Sequence, residues 1–264
     1  MKTAFITGAT RNTGWAIAER FAADGWNVIV SSREEAAAQA AARRLAERHP
    51  GIRALGVAMD PANVGSIRAA FGEIGKAFGT LDAFVSNAAN LGIGLSVLNT
   101  SEEDYDAVMN ANARGTFFGA QEAEKLMTSG GAMVFISSVH AVRSVPGRIC
   151  YTASKAAINA MMRSMAVELG SRGIRVNSVI AGAIRSDRWD AITPEEEQSR
   201  RDRYPAGRES QPSEIAAAVA FLCSDEAQTI TGAEMPVDSG IGVCLLAYDK
   251  NWRPSPATRE ERTK

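Results

Sequence analysis

The sequence predicts an α/β fold: one domain built on a doubly wound parallel β-sheet of about seven strands, flanked by helices on both faces. Three observations carry this. Short apolar runs alternate with amphipathic helical stretches along the chain. The first run, Lys2–Thr7, leads into a glycine turn, Gly8–Gly14, and then into helical periodicity over Trp15–Asp24. The 264 residues are 45% hydrophobic and 22% charged, ordinary for a globular domain and enough for a large core.

The order strand, glycine turn, helix gives the turn its meaning. Glycines let a backbone approach a pyrophosphate, and a helix N-terminus offers unpaired N–H groups and the positive end of its dipole. Gly8, Thr10, Arg11, Asn12, Thr13 and Gly14 are therefore candidates to hold a dinucleotide. Asparagine tolerates left-handed backbone angles, so Asn12 suits a tight turn, although its side chain reaches toward the phosphates.

Trp26–Ser31 is the second strand, and in a doubly wound sheet its end meets the adenosine ribose. Ser31-Ser32-Arg33 stands there, with no carboxylate. A carboxylate would repel a 2′-phosphate, whereas a guanidinium pairs with it. The reading is NADP(H), with Arg33 as the main contact, Ser32 as a hydroxyl donor and Arg11 assisting. The alternative for Arg33 is the solvated start of the helix Glu34–His49. Ile52–Ala58 is the third strand. Asp60 and Pro61 follow, the proline as a helix start, before the amphipathic helix Val64–Phe78. Leu81–Val85 is the fourth strand. Ser101-Glu102-Glu103-Asp104 opens the next helix with a hydroxyl cap and early acids. Ala132–Ile136 is a buried strand ending in Ser137-Ser138. After it come the helix Cys150–Arg172, the sixth strand Ile174–Val179, and a polar, helix-prone excursion, Asp187–Gly207, read as a lid over about 187–210. A helix from Gln211 to near Ser224, with Pro212 and Ser213 as start signals, precedes the last strand.

Tyr151 and Lys155 lie four apart on a helix and so share a face. A phenol ordinarily loses its proton near pH ~10, and a neighbouring ammonium favours the phenolate. That makes Tyr151 a candidate general acid/base, with the hydroxyl of Ser138 able to bond the same reacting oxygen. A pair at this spacing also suits a solvated helix face; the glycine turn tips the balance.

Tyr-x-x-x-Lys, a serine thirteen positions earlier and a glycine-rich first turn together resemble the short-chain dehydrogenase/reductase family, over about Lys2 to Gly240. The family's first-turn pattern is Thr-Gly-x-x-x-Gly-x-Gly; Thr7, Gly8 and Gly14 match, and Asn12 replaces the middle glycine. The resemblance implies a Rossmann-like domain over residues 1–240 and a catalytic set of Ser138, Tyr151, Lys155 and Asn112. Asn112, in Asn110–Phe117, would help hold a water between the lysine and solvent. It further implies cofactor contacts at Asp60 near the adenine, at Asn87 and Ala88 beside the ribose, and at the Ile184 backbone and Ser186. Tyr151 and Lys155 would also touch the cofactor, the lysine at the nicotinamide ribose. Ala181 stands where the family has proline, and Ser186 where it has threonine.

The implied chemistry is reversible hydride transfer between an alcohol and a ketone on a small molecule, with no metal needed. His140, Trp189 and Tyr204 are candidate substrate contacts, in a cleft edged also by Leu91, Ile93 and Val142; a satisfied surface histidine suits His140 equally. A hydroxysteroid or similar bulky alcohol is the favoured substrate. A 3-oxoacyl carrier-protein reductase is the alternative, disfavoured because Thr128–Gly131 carries no basic residue for an acidic carrier, although Arg172 does. A catalytically silent nucleotide sensor is a third reading, which the complete Ser–Tyr–Lys–Asn set opposes.

A net charge of −1 argues against nucleic acid or an anionic membrane as partner. No apolar run is long enough to span a bilayer, and Met1-Lys2-Thr3 leaves no room for a signal peptide before the first strand. Three cysteines without metal-ligand spacing fit reduced thiols in a cytoplasmic protein. The family implies a homo-oligomer, tetramer or dimer, through the helices beginning near Arg114 and Cys150. Residues 241–264 form a tail, with an apolar docking stretch at Val243–Tyr248 and a disordered end from Pro254.

Overall fold

A computed structural model describes residues 1–128, 130–244 and 251. Seven strands form one sheet: β1 (Thr3–Ile6), β2 (Asn27–Ser32), β3 (Ala54–Ala58), β4 (Ala83–Ser86), β5 (Gly131–Ser138), β6 (Ile174–Ala181) and β7 (Glu234–Val237). Their spatial order is β3-β2-β1-β4-β5-β6-β7, and every neighbouring pair is parallel. The order reverses direction between β1 and β4. In such sheets ligands bind at that switch point, beyond the carboxyl ends of the strands.

Why these runs are strands follows from where their side chains go. A parallel sheet is covered on both faces, so each strand is apolar throughout while successive residues point opposite ways. In β1, Ala4 and Ile6 join one core and Phe5 the other. The first core takes Ile17 and Phe21 from α1 (Asn12–Ala23), Leu45 from α2 (Glu35–Arg48) and Ile215, Val219 and Leu222 from α8 (Pro212–Cys223). The second takes Ile67, Phe71 and Ile74 from α3 (Val64–Phe78), Ala120 and Ala123 from α5 (Gly115–Leu126), and Ile158 and Met162 from α6 (Ile149–Leu169). Phe5, Phe71 and Phe84 meet pairwise at 5.2–5.7 Å between ring centroids. Such packing adds to area burial by about 1 kcal/mol per pair.

The helix starts are local chemistry. Ser101 Oγ accepts from the Asp104 amide (3.1 Å) and opens α4 (Glu102–Met109), whose first turn is acidic. α3 begins at Val64, where Asn63 Oδ1 accepts from the Ser66 amide. The start expected at Pro61 is corrected: Pro61 lies in the turn before, because the Asp60 carboxylate holds the Ala62 amide there (3.0 Å) and the side-chain cap comes only at Asn63.

Between α4 and α5 the helix runs without a break through a π-helical turn, Asn110–Arg114, a feature frequent at functional sites. The lid folds as a 3₁₀ turn (Asp187–Trp189) and α7 (Pro194–Arg201), capped by Thr193. Its two ends are paired: Arg185 N donates to Ser210 O and Ser210 N to Ala183 O, both at 2.9 Å. Of the expected docking stretch in the tail, Val243 and Cys244 are described, and Val243 is exposed. The rest, with 254–264, lies outside the described residues.

Candidate active site

The carboxyl ends of β1, β4, β5 and β6 bring the predicted residues to one side of the sheet. β5 ends in Ser138, which is buried. The chain turns at once into a 3₁₀ segment, Val139–Ala141, because Ser138 Oγ accepts from the His140 amide (3.2 Å). With that lone pair engaged, the serine hydrogen is free to donate outward. The Ser138 hydroxyl faces Tyr151, at the start of α6, and favours its ionised form.

Tyr151 is pushed above the usual phenol value. Burial is the largest cause, opposed by Ser138 and by the charges of Arg148 and Arg188. Here the structure corrects the sequence reading, which assigned the lowering to Lys155. The Lys155 ammonium is buried, donates to the Ile136 carbonyl at 2.6 Å, and sits 5.5 Å from the Tyr151 ring centroid. Burial pulls its own pKa down to about 8. An ammonium carries three donors, so two remain for a ligand or water.

Asn112, on the π-helical turn, is buried. Its Nδ2 donates to Asn90 O (2.8 Å) and Ser154 Oγ (2.9 Å), and its Oδ1 accepts from Asn90 N (2.7 Å). Ser154 Oγ in turn donates to Tyr151 O (2.8 Å). Asn112 therefore clamps the loop after β4 to Ser154 on α6 and reaches Tyr151 through it.

At the glycine turn, α1 starts without a side-chain cap, so its first amides are left for an anion. Gly14 must stay glycine, because a Cβ there would lie 2.3 Å from the Gly8 carbonyl oxygen and 2.8 Å from the Ala9 Cα. Asn87 Nδ2 bonds the carbonyls of Thr7 (2.9 Å) and Gly8 (3.1 Å), and the amides of Asn87 and Ala88 bond Thr7 Oγ1. Asn87 and Ala88 thus tie β4 to the turn itself. Asn12 takes the left-handed conformation its residue type allows, with φ of 49°. These features fit the pyrophosphate of a dinucleotide: uncapped helix amides, a backbone cradle too close for a Cβ, and Arg11 alongside.

At the end of β2, Arg33 is exposed, and Ser32 Oγ accepts from the Glu34 amide (3.2 Å). Asp60 is partly buried. The Ile184 carbonyl accepts the Trp189 indole N–H (3.0 Å), and Ser186 Oγ accepts from Arg188 Nε (3.5 Å). Thr10 and Thr13 are partly exposed on the turn.

Of the candidate substrate contacts, His140 comes closest to the reacting group. Its ring meets Tyr151 edge-on at 5.9 Å, and its buried Nδ1 has no hydrogen-bond partner. Burial and the Arg148 charge lower its pKa and favour the neutral imidazole. Trp189 and Tyr204 are buried within the lid and present little surface to a substrate. Sequence reasoning missed Arg148, Arg188, Ser154 and Asn90. Arg148, three residues before Tyr151, also donates to Leu91 O (3.0 Å), and Ser154 lies inside the Tyr-x-x-x-Lys motif.

The family model described as enoyl-(acyl carrier protein) reductase matches residues 8–242. The chain belongs to the short-chain dehydrogenase/reductase family. A 3-oxoacyl-(acyl-carrier-protein) reductase of Staphylococcus aureus is 35% identical over 91% of this chain and 98% of its own. Glucose 1-dehydrogenase 2 of Bacillus subtilis is 33% identical over 91% and 94%. Among solved structures, a metagenomic blue fluorescent protein in complex with NADPH superposes with a TM-score of 0.84 at 31% identity, covering 91% of this chain and 97% of its own. A double mutant of a Serratia marcescens short-chain dehydrogenase/reductase gives 0.84 and 31%, over 91% and 98%. As a member of this family the protein is an oxidoreductase using a nicotinamide dinucleotide. Among the described residues no helix is long and apolar enough to cross a membrane.

Proposed function

We propose that the protein is an NADP(H)-dependent ketoreductase acting on a 3-oxoacyl thioester. The observation that carries the reaction is buried Ser138 facing partly buried Tyr151, with the buried Lys155 ammonium beside them. Tyr151, kept protonated by burial, gives its proton to the alkoxide that forms from the ketone, and takes one from the alcohol in reverse. Ser138 orients the carbonyl and donates to its oxygen as charge develops. Lys155 offers its remaining donors to the nicotinamide ribose, and Asn112 holds the loop that closes the proton path. The bound cofactor supplies the hydride. Arg33, following Ser31-Ser32 where the end of β2 carries no carboxylate, favours a 2′-phosphate. Gly8, Arg11 and Gly14 serve the pyrophosphate, and Asp60, Asn87, Ala88, Ile184 and Ser186 the remainder of the cofactor.

The 3-oxoacyl substrate draws support from several relatives of that name, from Staphylococcus aureus and from Aquifex aeolicus at 34% identity. None of the relatives named above carries a steroid in its name, so the hydroxysteroid expectation yields first place. It stands as a second reading on one observation: Ile93 and Val142, at the cleft edge, are exposed apolar side chains. The same proposal takes the protein to be a cytoplasmic homo-oligomer, in keeping with its three free cysteines. Oxidation of NADPH with acetoacetyl-coenzyme A and with a 3-oxoacyl carrier protein tests it, against a panel of hydroxysteroids with NADP⁺. Turnover of either thioester well above every steroid supports the proposal. Turnover of a steroid alone overturns it in favour of the second reading.

A further inference from the structure

Asn12 stands where the family's first turn has glycine, and glycine has no side chain to make a contact. Here the side chain makes one. Asn12 Nδ2 lies 3.3 Å from Asp187 Oδ2, and Arg11 Nη1 lies 3.9 Å from the same oxygen. Asp187 is the first residue of the lid, 175 positions along the chain from Asn12. The lid therefore meets the glycine turn at one carboxylate.

We infer that Asp187 tethers the lid to the phosphate-binding turn through Asn12 and Arg11, and that its charge weakens binding of the cofactor's phosphates there. Two physical arguments support this. The tether is transmitted into the lid: two residues on, the Trp189 indole donates to the Ile184 carbonyl, and the Trp189 ring lies 5.6 Å from the Arg185 guanidinium and 5.4 Å from that of Arg200. Asp187 and α7 are thus parts of one packed unit. Second, the amides at the start of α1 and the Arg11 guanidinium attract an anion, and a fixed carboxylate beside them repels it. Arg11 and Asp187 are well exposed, so water screens the pair and its effect is modest. Removing the carboxylate should tighten phosphate binding by about threefold to fivefold, less at high salt. The charge half of this inference rests on the proposed use of the turn for NADP(H); the tether half does not.

The test uses Asp187→Ala and Asn12→Gly in the full-length protein, each with two readouts. Hydrogen exchange of residues 187–193, without added nucleotide, reads the tether; it should rise in both variants. Equilibrium binding of NADP⁺, followed by tryptophan fluorescence at low and high salt, reads the charge. Asp187→Ala should bind about threefold to fivefold tighter at low salt, with the gain shrinking as salt rises. Unchanged exchange in both variants overturns the tether. Equal or weaker NADP⁺ binding by Asp187→Ala overturns the charge effect. If the unaltered protein binds no NADP⁺, the proposed function and the charge effect fail together, and the exchange data still decide the tether.

Discussion

The Lys155 ammonium lies 5.5 Å from the ring centroid of Tyr151, and its 2.6 Å hydrogen bond goes to the carbonyl of Ile136. The lysine is therefore a buried cation held behind the reacting group, and the cost of burying it has a pH signature. Its pKa falls from 10.5 in the open chain to about 8 in the fold, a difference of about 3 kcal/mol between its charged and neutral forms. The folded state binds this proton more weakly than the unfolded state. The penalty is full below pH 8 and is relieved as pH rises from 8 through 10.5. Lys155→Met should therefore stabilise the fold at pH 7 by about 1–2 kcal/mol, once the Ile136 carbonyl has lost its donor, and so raise the melting temperature; the advantage should fade toward pH 10. Thermal melts across that range check it.

Arg148 holds the Tyr151 phenol below the value that burial alone would give. Removing the guanidinium favours the protonated phenol, so Arg148→Met should move the alkaline rise in alcohol oxidation to higher pH, with Arg148→Lys restoring much of it. The pH dependence of kcat/KM for NADP⁺ reduction reads this directly.

Arg33 is exposed at the end of β2 with no acidic neighbour in Ser31-Ser32-Arg33. A charge-assisted bond to a 2′-phosphate is worth about 1.5–3 kcal/mol. Arg33→Ala should therefore lower the preference for NADP⁺ over NAD⁺ by roughly 10- to 100-fold in kcat/KM. A preference left intact would assign Arg33 to the solvated start of α2.

Glu209, at the end of the lid, is buried and takes a two-point bond from Arg201, at 2.9 and 3.0 Å, with Arg185 at 3.7 Å. Arg201 and Arg185 also pair with Glu197 on α7. The Arg201 bond holds the Glu209 carboxyl below its usual range. Its contribution is present above the ordinary carboxylate pKa and is lost as pH falls through the lowered one. Glu209→Ala leaves Arg185 and Arg201 with Glu197 as their shared partner and should loosen the lid. Proteolysis within 187–210 should accelerate in this variant at neutral pH, and in the unaltered protein only in acid.

The strands and the Ser138–Tyr151–Lys155 set were legible because each rests on a local pattern: buried apolar runs, a glycine turn, and a four-residue helical spacing. The direction of the Tyr151 shift was not, because spacing says who shares a helix face and nothing of how deeply the phenol is buried. The Asn112 clamp on Asn90 and the pairing of the lid ends at Ala183, Arg185 and Ser210 were equally out of reach. Each joins segments far apart in the chain. Trp189 read as a substrate contact because an aromatic residue on a polar lid suggests one. Its indole N–H instead found the Ile184 carbonyl.

The central claim is that Tyr151 moves the proton, and one comparison tests it most directly. NADPH binding and NADPH oxidation with acetoacetyl-coenzyme A are measured side by side for the unaltered protein and for Tyr151→Phe. The account predicts a folded variant that binds NADPH as before and turns over about 100- to 10,000-fold more slowly. Undiminished turnover by Tyr151→Phe would contradict it.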